Sequence, residues 1–163
     1  MIVRAVNPVV WFLVSILLMQ GCVQPKPVST PAVVTFKSPR FKIHDTAFVI
    51  TRGRDVTIEV YTAGTLVFEI EAGSMVCING GCMSDDQFIA EYLSPYYPQR
   101  ILASVARKEK LAFEGIETTM KPDGFMQRVQ TPGMYDITYI VRKNEVFFRD
   151  RLNNIIIAIK ILE

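Results

Sequence analysis

The sequence predicts an α+β domain: an incomplete antiparallel β-barrel of eight or nine strands, with two helices inserted after strand four and covering its concave face. Three observations carry this expectation. Apolar and polar residues alternate through most of residues 46–78. The period lengthens to that of a helix between residues 84 and 108. From residue 116 the alternation of period two resumes and continues to the end of the chain.

The elements follow in chain order. Arg4 precedes an apolar run over residues 9–19, interrupted only by Ser15, and Gln20-Gly21-Cys22 ends it. A run this short does not span the hydrocarbon layer, which takes about 20 helical residues. A charged start, an apolar middle and a small residue before a break form the pattern of a secretory signal peptide over residues 1–21. Ending that pattern at Gly21-Cys22 resembles the lipobox of bacterial lipoproteins, with Met19 where leucine is usual and Gln20 bulkier than the common alanine or serine. The resemblance implies that Cys22 becomes the first mature residue, is linked through sulfur to diacylglycerol and is acylated, as with palmitate, on its new amine. A plain signal peptide or a signal anchor, with Cys22 incidental, is the alternative. Anchoring by two or three chains is effectively permanent, since each buried methylene adds about 0.8 kcal/mol.

Residues 22–40 carry Pro25, Pro27, Pro31 and Pro39 among Val, Ser, Thr and Lys, and are expected to be an extended tether behind the lipidated cysteine. The folded domain is expected over residues 41–163. Its first strand covers residues 46–51. A turn at Gly53 leads to the second, where Val56, Ile58 and Val60 share one face and Thr57, Glu59 and Tyr61 the other. Ala63-Gly64 turns the chain into the third strand, with Leu66, Phe68 and Ile70 on one face, and Gly73-Ser74 turns it into residues 75–78. Ser84-Asp85-Asp86-Gln87 matches a capping box, and Phe88 and Tyr92 head the buried stripe of the helix that follows. Pro98 suits the first turn of a second helix carrying Ile101, Leu102 and Val105. Strands resume at residues 116–121, 125–130, 134–141 and 146–149. The last, residues 155–162, is apolar on both faces and therefore expected to be central.

Composition narrows the function. Removing residues 1–21 leaves 142 residues with 17 basic and 16 acidic side chains, a balance with no nucleic-acid footprint. Cys77 and Cys82 flank Asn79-Gly80-Gly81, a tight-turn signal, and an exported chain favours their pairing as a structural disulfide. A free pair is the alternative. A redox motif would have two intervening residues and a zinc site two more ligands, so no metal is expected. His44 beside Asp45 has no nucleophile motif to serve and fits a surface or capping role. Asp85 and Asp86 are the acids that a helix N-terminus attracts. Phe147-Phe148-Arg149-Asp150 fits a buried strand end better than a partner surface. The glycines are scattered through turns and form no phosphate loop. No enzyme and no cofactor are expected.

The order of strands, helices and strands resembles the LolA/LolB group of lipoprotein carriers, and LolB most closely. The local likeness lies in residues 60–68 around Ala63-Gly64, in residues 86–102 where Pro98 opens the second helix, and in the closing strand pair. Cys77, Cys82-Met83-Ser84, Tyr97-Pro98 and Phe148-Arg149-Asp150 also resemble a family of small lipoproteins of epsilon-class proteobacteria, which brings no activity with it. The LolA/LolB resemblance implies a half-barrel with a helical lid over an apolar cavity for acyl chains, here lined by Ile58, Val60, Leu66, Phe68, Ile70, Tyr139 and Ile157. It departs at Thr62-Ala63-Gly64, where the receptor carries a bulky apolar residue thought to touch the membrane. The function expected is handling of lipid or lipoprotein acyl chains. The alternative is a structural or assembly lipoprotein that binds an envelope protein through an ordinary filled core. Val23-Gln24 after Cys22 lacks the aspartate that retains many lipoproteins at the inner membrane. This implies lipid anchoring at the outer membrane with the domain facing the periplasm.

Overall fold

The computed structural model describes residues 26–163. The signal peptide, Cys22 and the first tether residues lie outside them. Eleven strands, all paired antiparallel, make one sheet: β1 (Val28–Lys37), β2 (Lys42–Arg52), β3 (Asp55–Thr62), β4 (Thr65–Ala72), β5 (Met75–Ile78), β6 (Gly81–Ser84), β7 (Glu117–Lys121), β8 (Gly124–Thr131), β9 (Tyr135–Arg142), β10 (Glu145–Asp150) and β11 (Ile155–Ile161). Their spatial order is β6-β5-β4-β3-β2-β1-β11-β10-β9-β8-β7. The chain therefore starts in the middle of the sheet and walks outward to β6. It then crosses to the opposite edge at β7 and walks back inward to β11, beside β1. The crossing segment holds α1 (Asp85–Tyr92) and α2 (Ile101–Ala106).

This corrects the expected α+β class and its eight or nine strands. Strands hold 57% of the described residues and the sheet is open, so the fold is largely β with two short helices. The helices follow strand six, not strand four. Two strands account for the difference. β6 is the return arm of a hairpin, lying beyond the strand expected over residues 75–78. β1 lies inside the expected tether, where four prolines hid a central strand. Pro31 is tolerated because the β1–β11 ladder begins only at Ala32↔Ile161. The Pro31 carbonyl accepts from Leu162 N (2.9 Å), just past the end of β11, so the proline sits at the margin of the ladder and its missing N–H forgoes one terminal bond.

One face of the sheet is buried. Ala32, Val34 and Phe36 of β1 continue across into Ile155, Ile157 and Ile159 of β11, and outward to Ile58 and Ile70 on one wing and Ile137 and Phe148 on the other. A link joining opposite edges must pass over one face, and the apolar face is the one it shields. α1 contributes Phe88 and Ile89, and α2 buries five of its six residues, sparing only Ser104. β11 sits between β1 and β10, as a strand apolar on both faces requires.

Candidate functional site

The region beneath the helical link is apolar inside and polar at its rim. Ser84 caps α1, its hydroxyl accepting from Gln87 N at 3.2 Å. Under α1 an aromatic run passes from Phe36 to Phe41 (ring centroids 4.6 Å apart), then to Phe68 and Tyr92 (5.8 Å each), with Phe88 stacked on Tyr92 at 5.4 Å. A second run lies on the other wing. It joins Phe125 to Tyr139 (5.8 Å), Tyr139 to Phe148 (6.3 Å), Phe148 to Tyr97 (5.7 Å) and Tyr97 to Phe113 (5.9 Å).

Polar clasps hold the link to the sheet. Arg100 precedes α2 in the left-handed conformation (φ 60°). Its guanidinium donates to the carbonyls of Gly73 and Arg54, both at 2.9 Å, while its backbone N–H donates to Asp85 Oδ2 at 2.6 Å. Arg40 Nε donates to the Glu91 carbonyl at the end of α1 (3.4 Å). Lys108 Nζ, just past α2, donates to the Lys143 carbonyl (2.7 Å). Gln127, buried on β8, bonds the Leu111 backbone as a strand would, accepting from its N–H (2.8 Å) and donating to its carbonyl (3.3 Å).

Asp150 lies at the buried end of β10 and gathers Tyr97 Oη (2.6 Å), Asn153 Nδ2 (2.6 Å) and the N–H groups of Asp136 (3.0 Å) and Leu152 (2.9 Å). Burial works to raise its pKa, but the hydrogen bonds from Tyr97, Asn153 and the backbone outweigh it and hold it below the ordinary aspartate range. Burial, followed by the bond to Asp150, raises the Tyr97 hydroxyl.

Two hydroxyls inside this shell, Tyr139 Oη and Ser94 Oγ, have no partner among the described residues. Burial raises the Tyr139 pKa, helped by the nearby Glu109 charge. A buried polar atom without a partner costs about 1–3 kcal/mol, so Tyr139 is a place where the interior is polar without being satisfied.

Of the residues expected to line a cavity, Ile58, Val60, Ile70, Tyr139 and Ile157 belong to the single packed core, and Phe68 lies half-buried against it. Leu66 does not join them; it is 42% exposed. The β3–β4 register slips between Val60 and Tyr61, so that Val60 pairs with Phe68 and Tyr61 with Leu66. The bulge leaves Val67 without an opposite residue and exposes it with Leu66 beside the Ala63-Gly64 turn. The apolar surface missing from the turn itself is thus present two residues later. None of five hollows on the molecule is lined by any of the seven residues.

Cys77 and Cys82 are directly opposite in the β5–β6 hairpin, with sulfurs bonded at 2.08 Å. Asn79 and Gly80 both have positive φ (48° and 81°), the geometry of the two-residue turn that Asn-Gly favours. His44 Nδ1 lies 2.7 Å from the Thr35 hydroxyl across β1 and β2, an exposed cross-strand pair. Among the described residues no cluster of His, Cys, Asp and Glu could hold a metal.

The contacts of Arg100, Tyr97, Gln127 and Asp150 follow no motif in the sequence. Asp150 alone left a trace, since it continues the inward series Val146, Phe148 at period two. Scanned against protein-family models and curated proteins, the chain matches none.

Proposed function

We propose that the domain handles acyl chains of lipid or lipoprotein between the sheet and the helical link, as a carrier or receptor tethered at the outer membrane. The observation that carries this is the unpartnered Tyr139 hydroxyl inside an apolar shell. An esterified or amide-linked acyl chain offers the matching chemistry, a hydrocarbon tail with one carbonyl acceptor. Entry requires the link to lift, and the clasps at Arg100 and Arg40 are the bonds that must open.

A second reading, a lipoprotein that binds an envelope protein, is favoured by the packing. Ile58, Val60, Ile70, Tyr139 and Ile157 are at most 2% exposed and lie in one continuous core, as in a domain filled to normal density.

The experiment is to export residues 26–163 to a bacterial periplasm, purify the domain and look for bound lipid by mass spectrometry, with displacement of a fluorescent fatty acid alongside. On the carrier reading acyl chains co-purify and the probe displaces them. Arg100→Ala speeds uptake, and Tyr139→Phe weakens an ester-bearing ligand about fivefold, the worth of one hydrogen bond. A folded domain that holds no lipid and takes up no probe sinks the carrier reading and leaves the partner-binding one.

A further inference from the structure

The outer face of the sheet, opposite the core, carries a hollow of about 730 Å³ over β7–β10. A row of residues crosses its floor in direct register: Arg128 on β8 faces Thr138 on β9, which faces Arg149 on β10. Strands lie about 4.8 Å apart, so the two arginine backbones stand about 10 Å apart with the threonine hydroxyl between them. Neither guanidinium has a hydrogen-bond or ion-pair partner among the described residues, although other arginines here do. Arg151, also in the hollow, is already engaged: its Nη2 lies 2.8 Å from Asp136 Oδ2 and its Nε donates to the same oxygen at 2.9 Å. That pair removes the Asp136 charge and leaves two free guanidiniums against one carboxylate, Glu117, which stands opposite Arg128 without an ion pair.

We propose that this hollow binds a phosphate group, with Arg128 and Arg149 closing on it from two sides above the Thr138 hydroxyl. A planar carboxylate is satisfied by one guanidinium fork. Two forks and a hydroxyl converging from different directions suit the tetrahedral oxygens of a phosphate. The volume exceeds that of a bare phosphate and leaves room for the alcohol it esterifies, with Phe147 as an apolar wall and Gln130 as a further polar one. The site is on the opposite face from the helical link and does not depend on what the interior holds.

The test uses the full chain in neutral detergent micelles, following the Thr138 and Arg149 backbone amides by NMR at constant ionic strength. Three probes are titrated: inorganic phosphate, glycerol phosphate and a short-chain phosphatidylglycerol. Saturable shifts with the first two support the site and mark a soluble phosphoryl ligand. Saturation with the phospholipid alone supports it and marks a lipid headgroup. Arg128→Gln and Arg149→Gln each weaken binding about fivefold and together more than about twentyfold, as lost charge-assisted bonds. Arg149→Lys retains part of the affinity, and Glu117→Gln raises it. Absence of saturable shifts with all three probes overturns the proposal. So does saturation that the double variant leaves unchanged in a protein whose other amide positions match the parent.

Discussion

Asp150 and Tyr139 show opposite fates for polar atoms in one core. The Asp150 carboxylate is surrounded by donors, and its pKa is held down despite burial. The stability it contributes is therefore fully present above the ordinary aspartate value of 3.8 and is lost as pH falls below that through its lower folded value. Asp150→Asn should cost about 2 kcal/mol at neutral pH, with the difference from the parent shrinking below pH 4 in denaturant titrations. A gap that stays constant with pH would show that the carboxylate charge is not what is bound. Tyr139→Phe, by contrast, removes a hydroxyl that has no partner and should raise the unfolding free energy by about 1 kcal/mol. Destabilisation would mean that the hydroxyl is satisfied in solution.

β1 is the element whose role was least visible in advance. It pairs with β2 over ten residues and with β11 over six, so it joins the two halves of the sheet. A chain beginning at residue 41 should fail to fold, whereas one beginning at residue 26 should give a cooperative transition by circular dichroism. At the other end of the sheet, Gly124 opens β8 against Arg142, where an added Cβ would lie 2.0 Å from the Val141 carbonyl oxygen. Backbone cannot yield as a side chain can, so Gly124→Ala should destabilise by about 3 kcal/mol in the same assay. The Cys77–Cys82 bond closes a loop of only a few residues, for which chain entropy gives about 2 kcal/mol. Reduction should thus lower the unfolding midpoint and leave the fold intact. The alternation in β3 and β9 was legible in the sequence because each has one buried face, and β11 was legible as a run apolar on both faces. β1 was not, because its apolar residues, Ala32, Val34 and Phe36, are small or spaced among prolines that mimic a linker.

Across the whole molecule, the sheet edges are joined only through the helical link, and the Arg100 clasp ties that link to the β2–β3 and β4–β5 turns. Arg100→Ala should raise amide exchange in α1 and α2 while β1 and β11 keep their protection. Equal acceleration everywhere would show that the link and the sheet open as one unit.

The sequence by itself determined which residues face inward on most strands, the cap of α1, the cysteine hairpin and the central place of β11. These depend on local period and turn chemistry. Only the tertiary structure decided that a proline-rich segment becomes the middle strand, and that Arg100, Tyr97, Gln127 and Asp150 tie the helical link to the sheet. The Arg128–Thr138–Arg149 row was likewise invisible, because its members come from three strands. Each of these depends on pairs brought together by strand order, and strand order is set by which faces can be buried jointly.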